Sequence, residues 1–186
     1  MEHVSEFYAK DRAAWRQWLM EHHETETGIW LVFDKGPGRK LQWSDVVQEA
    51  LCFGWIDGRA NKVSDTQSKI YVSKRKPKGM WSKVNKAHVE NLAAAGLMTP
   101  AGHAAIERAK VNGAWDILNN SDNLILPPEL ESEFAKHPVA RENFEGFAPS
   151  SKRLLLQWIY DAKTDATRQK RVTQTVESAE RGEKAR

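Results

Sequence analysis

The chain has 186 residues, 40% of them hydrophobic, with one cysteine and a formal net charge of +3. That size suits one compact domain, or a domain with a helical extension, and the composition excludes disorder. A lone Cys52 excludes an internal disulfide and a cysteine-based zinc site and points to a reducing, cytoplasmic setting. No apolar run approaches the ~18–20 residues of a membrane helix and the first residues lack a signal-peptide core, so no membrane insertion is expected.

In chain order, Asp11 reads as the N-cap of a first helix. Trp15, Trp18, Leu19 and His22 make one stripe at helical spacing. "GIWLVFDK" (28–35) is a buried strand, and "KGPGRK" (35–40) is a turn. Ser44 is placed to cap a second helix with Val47, Ala50, Leu51 and Gly54 on one face, and Gly54 to end it in a left-handed conformation. "WIDGRANKV" and "SKIYVSKRK" read as a hairpin turning near Ser64 and Asp65. From Ser82 the pattern is helical, with Val84, His88, Leu92 and Ala95 on one face and a stop at Gly96. Thr99 with Pro100 marks the next start.

Residues 112–129 form a long connection with little periodicity. Pro128 and Pro138 each open a short helix, the second bearing Val139, Ala140, Phe144 and Phe147. Leu154, Leu155, Trp158, Ile159 and Ala162 stripe another. Thr164 caps a last helix with Val172, Val176 and Ala179 inward. The fold class is α+β: a small antiparallel sheet of about three strands packed with helices, then a helical C-terminal region. The domain reading is a core over 1–126 that carries the basic hairpin and loop, and a helical module over 127–186 packed on it, or the two as a single domain.

Known catalytic signatures are absent, and neither a metal nor a cofactor is expected. His88, on an apolar face, reads as a hydrogen-bonded core histidine, and "EHHE" (21–24) as a solvated helix end. The charge is uneven. Residues 59–86 hold nine Lys or Arg against Asp65 alone, a local +8 that leaves the remainder net acidic. In "KRKPKGMWSKVN" (74–85) the basic run meets Ser82, a helix start with unpaired backbone N–H groups. Trp81 stacks there on a ligand ring or is stapled into the core, and Asn85 lies about one turn in. Asp57, in "GWIDG", is an Asp-Gly turn, an anchor for the basic loop, or a catalytic acid or base tuned by cations. As an anchor among cations it would be ionised, with a lowered pKa.

"EALCFGWIDGRANKV", "PKGMWSKVNKAHVENLAAAGLMTPAGHAAIERAKVNGAWD" and "PSSKRLLLQWIYDAKTDATRQKRV" resemble the YdeI/OmpD-associated, or bacteriocin-protection, family over nearly the whole chain. Phe53, Gly54, Trp55, Asp57 and Gly58 carry one block; Trp81, Ser82 and Asn85 carry another. In the C-terminal block Ala148 departs from an expected serine and Ala166 from a common acid. The resemblance implies a small bacterial soluble α+β protein associated with envelope stress and bacteriocin tolerance, and no firm biochemistry.

Three functional readings stand. The first is an anion-binding module for nucleic acid or a phosphorylated small molecule, through Trp55, Asp57, Arg59, Lys74, Arg75, Lys78, Trp81, Ser82 and Asn85. The second is a small enzyme with Asp57 as the candidate catalytic group, its pocket floored by Trp55 and rimmed by Arg75, Lys78 and Ser82. The third is a protein-interaction adaptor using the C-terminal basic helix with Arg168, Lys170 and Arg171.

Overall fold

The computed structural model describes residues 5–185, and the chain parts into two compact units between Asp116 and Ile117. The first unit runs β1 (Glu6–Tyr8), α1 (Arg12–His22), β2 (Gly28–Asp34), α2 (Trp43–Cys52), β3 (Trp55–Lys62), β4 (Gln67–Lys74), α3 (Lys83–Ala94) and α4 (Pro100–Val111). Among the described residues its sheet has four strands in the order β1-β2-β4-β3. β1 lies parallel to β2, and the other two pairings are antiparallel. The sheet is therefore mixed, not wholly antiparallel. β1 has three residues, too few for an alternating pattern to show in sequence.

One face of the sheet carries the core. Ile29, Leu31, Phe33, Trp55, Ile70 and Val72 pack there with Trp15, Trp18 and Leu19 of α1 and Val46, Ala50 and Leu51 of α2. Trp18 stacks on Trp15 at 5.4 Å and meets the edge of Trp55 at 5.9 Å. The other face carries Trp30 and its cross-strand partner Tyr71, 5.5 Å apart. Asp11 caps α1 by accepting from the Ala14 N–H.

α2 begins at Trp43, not after a Ser44 cap. The Asp45 carboxylate, one turn in, accepts from the Gln42 backbone N–H at 2.9 Å, so an acid inside the first turn holds this start. α3 also differs from the expected stripe. Val89 and Leu92 are its buried residues, while Val84 is 64% exposed and His88 is half-buried, outside the core.

The second unit runs α5 (Asn119–Asp122), α6 (Pro128–Lys136), α7 (Pro138–Gly146), α8 (Pro149–Tyr160) and α9 (Asp165–Glu180). The segment 117–126 goes with these helices: α5 packs on α8, and Tyr160 Oη donates to the Ile125 carbonyl. Its core is separate, built from Leu130, Phe134, Phe144, Leu155, Leu156, Ile159, Val172 and Val176. Leu156, not Leu154, faces inward on α8, and Val139 of α7 is exposed. Ala148, where serine was expected, makes no side-chain bond at the start of α8.

Candidate functional site

The hairpin does not gather the sequence-derived residues into one site. It divides them between two clefts of the first unit and leaves others outside both.

The first cleft forms where α2 ends. Gly54 has φ +73°, the conformation glycine tolerates, and its carbonyl accepts from the Arg75 backbone N–H at 3.0 Å. The Thr99 N–H and hydroxyl both donate to the Cys52 carbonyl, at 3.1 and 2.6 Å, which fastens the start of α4 to the end of α2. Gly102 permits that approach, since a Cβ there would lie 2.3 Å from the Cys52 oxygen. α4 then turns Ala101, Ala104, Ala105 and Arg108 toward Gly54, at i, i+3, i+4 and i+7. Three alanines leave room that larger residues would fill. The result is a cleft of about 340 Å³, whose other walls are His23, Glu24, Phe53, Trp55, Lys74 and Arg75.

Arg75 is the notable group in it. The residue is 7% exposed. Its Nη2 donates to the Met80 carbonyl at 2.7 Å, and its guanidinium lies 3.7 Å from the Trp81 ring centroid. Nε and Nη1 have no acceptor among the described residues, and neither has the indole Nε1 of fully buried Trp55. Burial pushes the Arg75 pKa down to about 10, against the pull of the Asp57 charge. Three donors from two cleft residues thus lack protein acceptors, an arrangement that folded proteins rarely leave unanswered.

The cleft is positive overall. Lys74, Arg75 and Arg108 face Glu24, and the C-terminal ends of α1 and α2 add about half a negative charge each, leaving about one positive charge in excess. Lys74 Nζ donates to the Glu24 carbonyl at 2.7 Å, and the His23 ring lies 5.1 Å from Phe53.

The second cleft, about 410 Å³, opens between the first turns of α2 and α3. Trp43, Ser44 and Val47 line one side, Ser82, Val84, Asn85 and His88 the other, and Asp57 of β3 lies between them. Ser82 caps α3, its hydroxyl accepting from the Asn85 N–H at 3.3 Å. Asp57 is half-buried, and desolvation raises its pKa. Hydrogen bonds from its own backbone and the Trp43 side chain, and the Arg75 charge, pull the other way without prevailing. The lowered pKa expected from the sequence is therefore corrected. The basic loop is held by the Arg75 bond to Met80 and by Asn112 Nδ2 donating to the Pro77 carbonyl at 2.7 Å.

Three sequence candidates line neither cleft. Trp81 is 1% exposed, packed between Arg75 and Trp115, so it is a core residue with no face toward a groove. Arg59 follows Asp57 by two residues and would share its side of a regular strand. A register shift between Asp57 and Ala60 breaks the alternation and sends Arg59 to the opposite face, 5.2 Å over the Trp30 ring. Lys78 is exposed on the loop. Conversely, His23, Arg108 and the alanines of α4 were not foreseen as site residues. The A-x-x-A-A-x-x-R spacing of 101–108 was the available signal.

In the second unit the C-terminal basic helix is partly engaged within the unit itself. Arg168 lies 3.7 Å from Glu129, and Arg171 donates to the Trp158 carbonyl and lies over its ring, while Lys170 is exposed. No helix among the described residues is long and apolar enough to cross a membrane.

No curated protein and no solved structure matches the chain. A family described as a domain of unknown function (DUF8412) matches residues 7–105 and holds every lining residue of both clefts except Arg108. The model described as "Bacteriocin-protection, YdeI or OmpD-Associated" matches residues 123–182. The resemblance drawn across the whole chain is therefore divided: the "GWIDG" and "WSKVN" blocks fall under the first model, and only the C-terminal block under the second. The chain belongs to the DUF8412 family through its first unit, and residues 123–182 of its second unit match the bacteriocin-protection, YdeI or OmpD-associated model.

Proposed function

We propose that the first unit is an anion-binding module and that the cleft beneath α4 is its site. One observation carries this reading: Arg75, 7% exposed, is a lining residue of the cleft, and its buried Nε and Nη1 have no acceptor among the described residues. Leaving buried donors unpaired costs ~1–3 kcal/mol each, more when they are charged. An anionic oxygen entering the cleft offsets that cost directly. The excess positive charge of the walls works in the same direction, and it makes the binding sensitive to salt. The ligand is an anion of the nucleic-acid or phosphorylated small-molecule kind.

Calorimetric titration of the full chain with pyrophosphate at low ionic strength tests the reading. Saturable binding that weakens with added salt and disappears in Arg75→Met is expected. A flat titration of the unaltered protein would sink the proposal. The bacteriocin-protection description of the model that matches residues 123–182 supports a role in tolerance to bacteriocins. Cells lacking the gene, complemented with the Arg75→Met form, should then survive no better than uncomplemented ones.

A second reading rests on Asp57. A half-buried carboxyl with a raised pKa, beside Ser82, Asn85 and His88 in the second cleft, is the kind of group that serves as a general acid or base. A screen for hydrolase activity that Asp57→Asn abolishes would favour it, and a screen without any turnover would count against it.

A further inference from the structure

Resting on the anion-binding reading, we propose that this cleft takes the terminal phosphate of a small organic phosphate and not the backbone of a nucleic acid. Three observations converge on that ligand class.

The first is depth. The Arg75 Nε, Arg75 Nη1 and Trp55 Nε1 atoms are all out of contact with solvent. A backbone phosphodiester is tied to a sugar on both sides and runs along a surface. A terminal phosphate has one attachment and three free oxygens, so it can lead its molecule into a recess. Two lining residues, Arg75 and Trp55, hold three buried N–H donors without acceptors among the described residues, and a group that leads its molecule into the recess is the kind that can approach them.

The second is the scattering of the basic segment. A nucleic-acid track needs its cations in line along a groove. Of the nine basic residues in 59–86, only Lys74 and Arg75 line the cleft. Arg59 and Lys69 lie over the Trp30 ring, Lys69 also meeting Glu6, while Lys62 pairs with Asp65 and Lys86 lies over Trp115. Six of the nine are thus spread over several faces, and only two of the nine lie along this cleft.

The third is size and lining. About 340 Å³ lies at the small end of ligand pockets, which run from ~300 to ~1,000 Å³. Phe53 and the alanines of α4 give an apolar wall for a short carbon skeleton. Arg108, exposed at the rim, supplies an outer cation for the entering charge.

The test is calorimetry on the full chain with five probes: glycerol 3-phosphate, inorganic phosphate, pyrophosphate, and one short single-stranded DNA carrying either a 5′-phosphate or a 5′-hydroxyl. Glycerol 3-phosphate should bind at least ~10-fold more tightly than inorganic phosphate, and the 5′-phosphorylated strand at least ~10-fold more tightly than its 5′-hydroxyl twin, a difference of ~1.4 kcal/mol. Arg75→Met should abolish binding and Arg108→Gln weaken it severalfold. Ala104→Phe, at an exposed rim position, should block the cleft without a change in thermal melt, which separates lost binding from lost folding.

Equal binding of the two strands, inorganic phosphate binding as tightly as glycerol 3-phosphate, or full binding by Ala104→Phe would each overturn this inference. Pyrophosphate binding that depends on Arg75 would in those cases leave the anion-binding reading standing. Failure of every probe, pyrophosphate included, would overturn both.

Discussion

Arg75→Met should cost the fold little, and that outcome separates a ligand-binding arginine from a structural one. Lowering the Arg75 pKa from its ordinary value to about 10 corresponds to about 3 kcal/mol spent on holding a charge away from water. The residue is 7% exposed, so solvent screening discounts this little. The guanidinium remains charged over the working pH range of the protein, and the cost is present throughout it. Against it stand the charged hydrogen bond to the Met80 carbonyl, ~1.5–3 kcal/mol, and the stacking on Trp81, ~1–2 kcal/mol. Methionine keeps the apolar stem that packs beside Trp81 and removes the charge and all its donors. Losses of ~2.5–5 kcal/mol against that gain leave a net cost of at most about 2 kcal/mol. Urea unfolding followed by tryptophan fluorescence is the suitable assay, since seven of the eight tryptophans lie in the first unit. A loss above ~3 kcal/mol, typical of breaking a satisfied buried charge, would show that Arg75 is there for the fold. A small stability loss together with lost pyrophosphate binding is the expected pair of results.

The remaining predictions use the same unfolding assay. Gly54→Ala should lose about 1–3 kcal/mol, because its φ is +73° and a Cβ would lie 3.0 Å from the Ala101 oxygen; an unchanged midpoint would refute the strain argument. Gly102→Ala should lose at least as much, since its Cβ would meet the Cys52 carbonyl carbon and oxygen, and an unaffected variant would mean that α4 can slide. Asp57→Asn should stabilise the protein near neutral pH. Burial raises the folded pKa of this acid, so its ionised form destabilises the fold above that pKa, and the penalty vanishes as pH falls below the unfolded value. The gain should therefore shrink in acid, and a variant that melts lower at neutral pH would restore Asp57 as an anchor.

What could be read from the sequence was whatever depends on near neighbours in the chain. Asp11, Ser82, Thr99 and Thr164 were placed as caps by residue type and spacing, and each accepts a bond from a backbone N–H in its helix's first turn. Gly54 and Gly96 were placed at helix ends, and both have positive φ. The α+β order followed from the same signals. What escaped depends on partners far along the chain. β1 exists because three residues find the edge of β2. Trp81 looked available for stacking because nothing nearby in sequence shows that Arg75 and Trp115 close over it. Asp57 looked surrounded by cations because Arg59 is near it in sequence and the hairpin was expected to bring Arg75 and Lys78 across from it, yet at a half-buried position desolvation outweighed the Arg75 charge.

The two clefts owe their opposite characters to one strand and its register. Trp55 pairs with Lys74 and Asp57 with Val72, so Trp55 and Asp57, two residues apart, share the helix-covered side of β3. One ring floors the cleft at the closing ends of α1 and α2, where Lys74, Arg75 and Arg108 gather. One carboxylate lies in the cleft at the opening turns of α2 and α3. Cations therefore stand near helix C-termini and an anion near helix N-termini, as the helix dipoles favour. A slip of one residue would move Trp55 and Asp57 to the other face together and leave Arg75 without its cleft. Two features oppose that slip: the irregularity between Asp57 and Ala60, and the bond from the Arg75 backbone to the Gly54 carbonyl. The glycines and the bulge of this hairpin thus position Arg75 beside the first cleft.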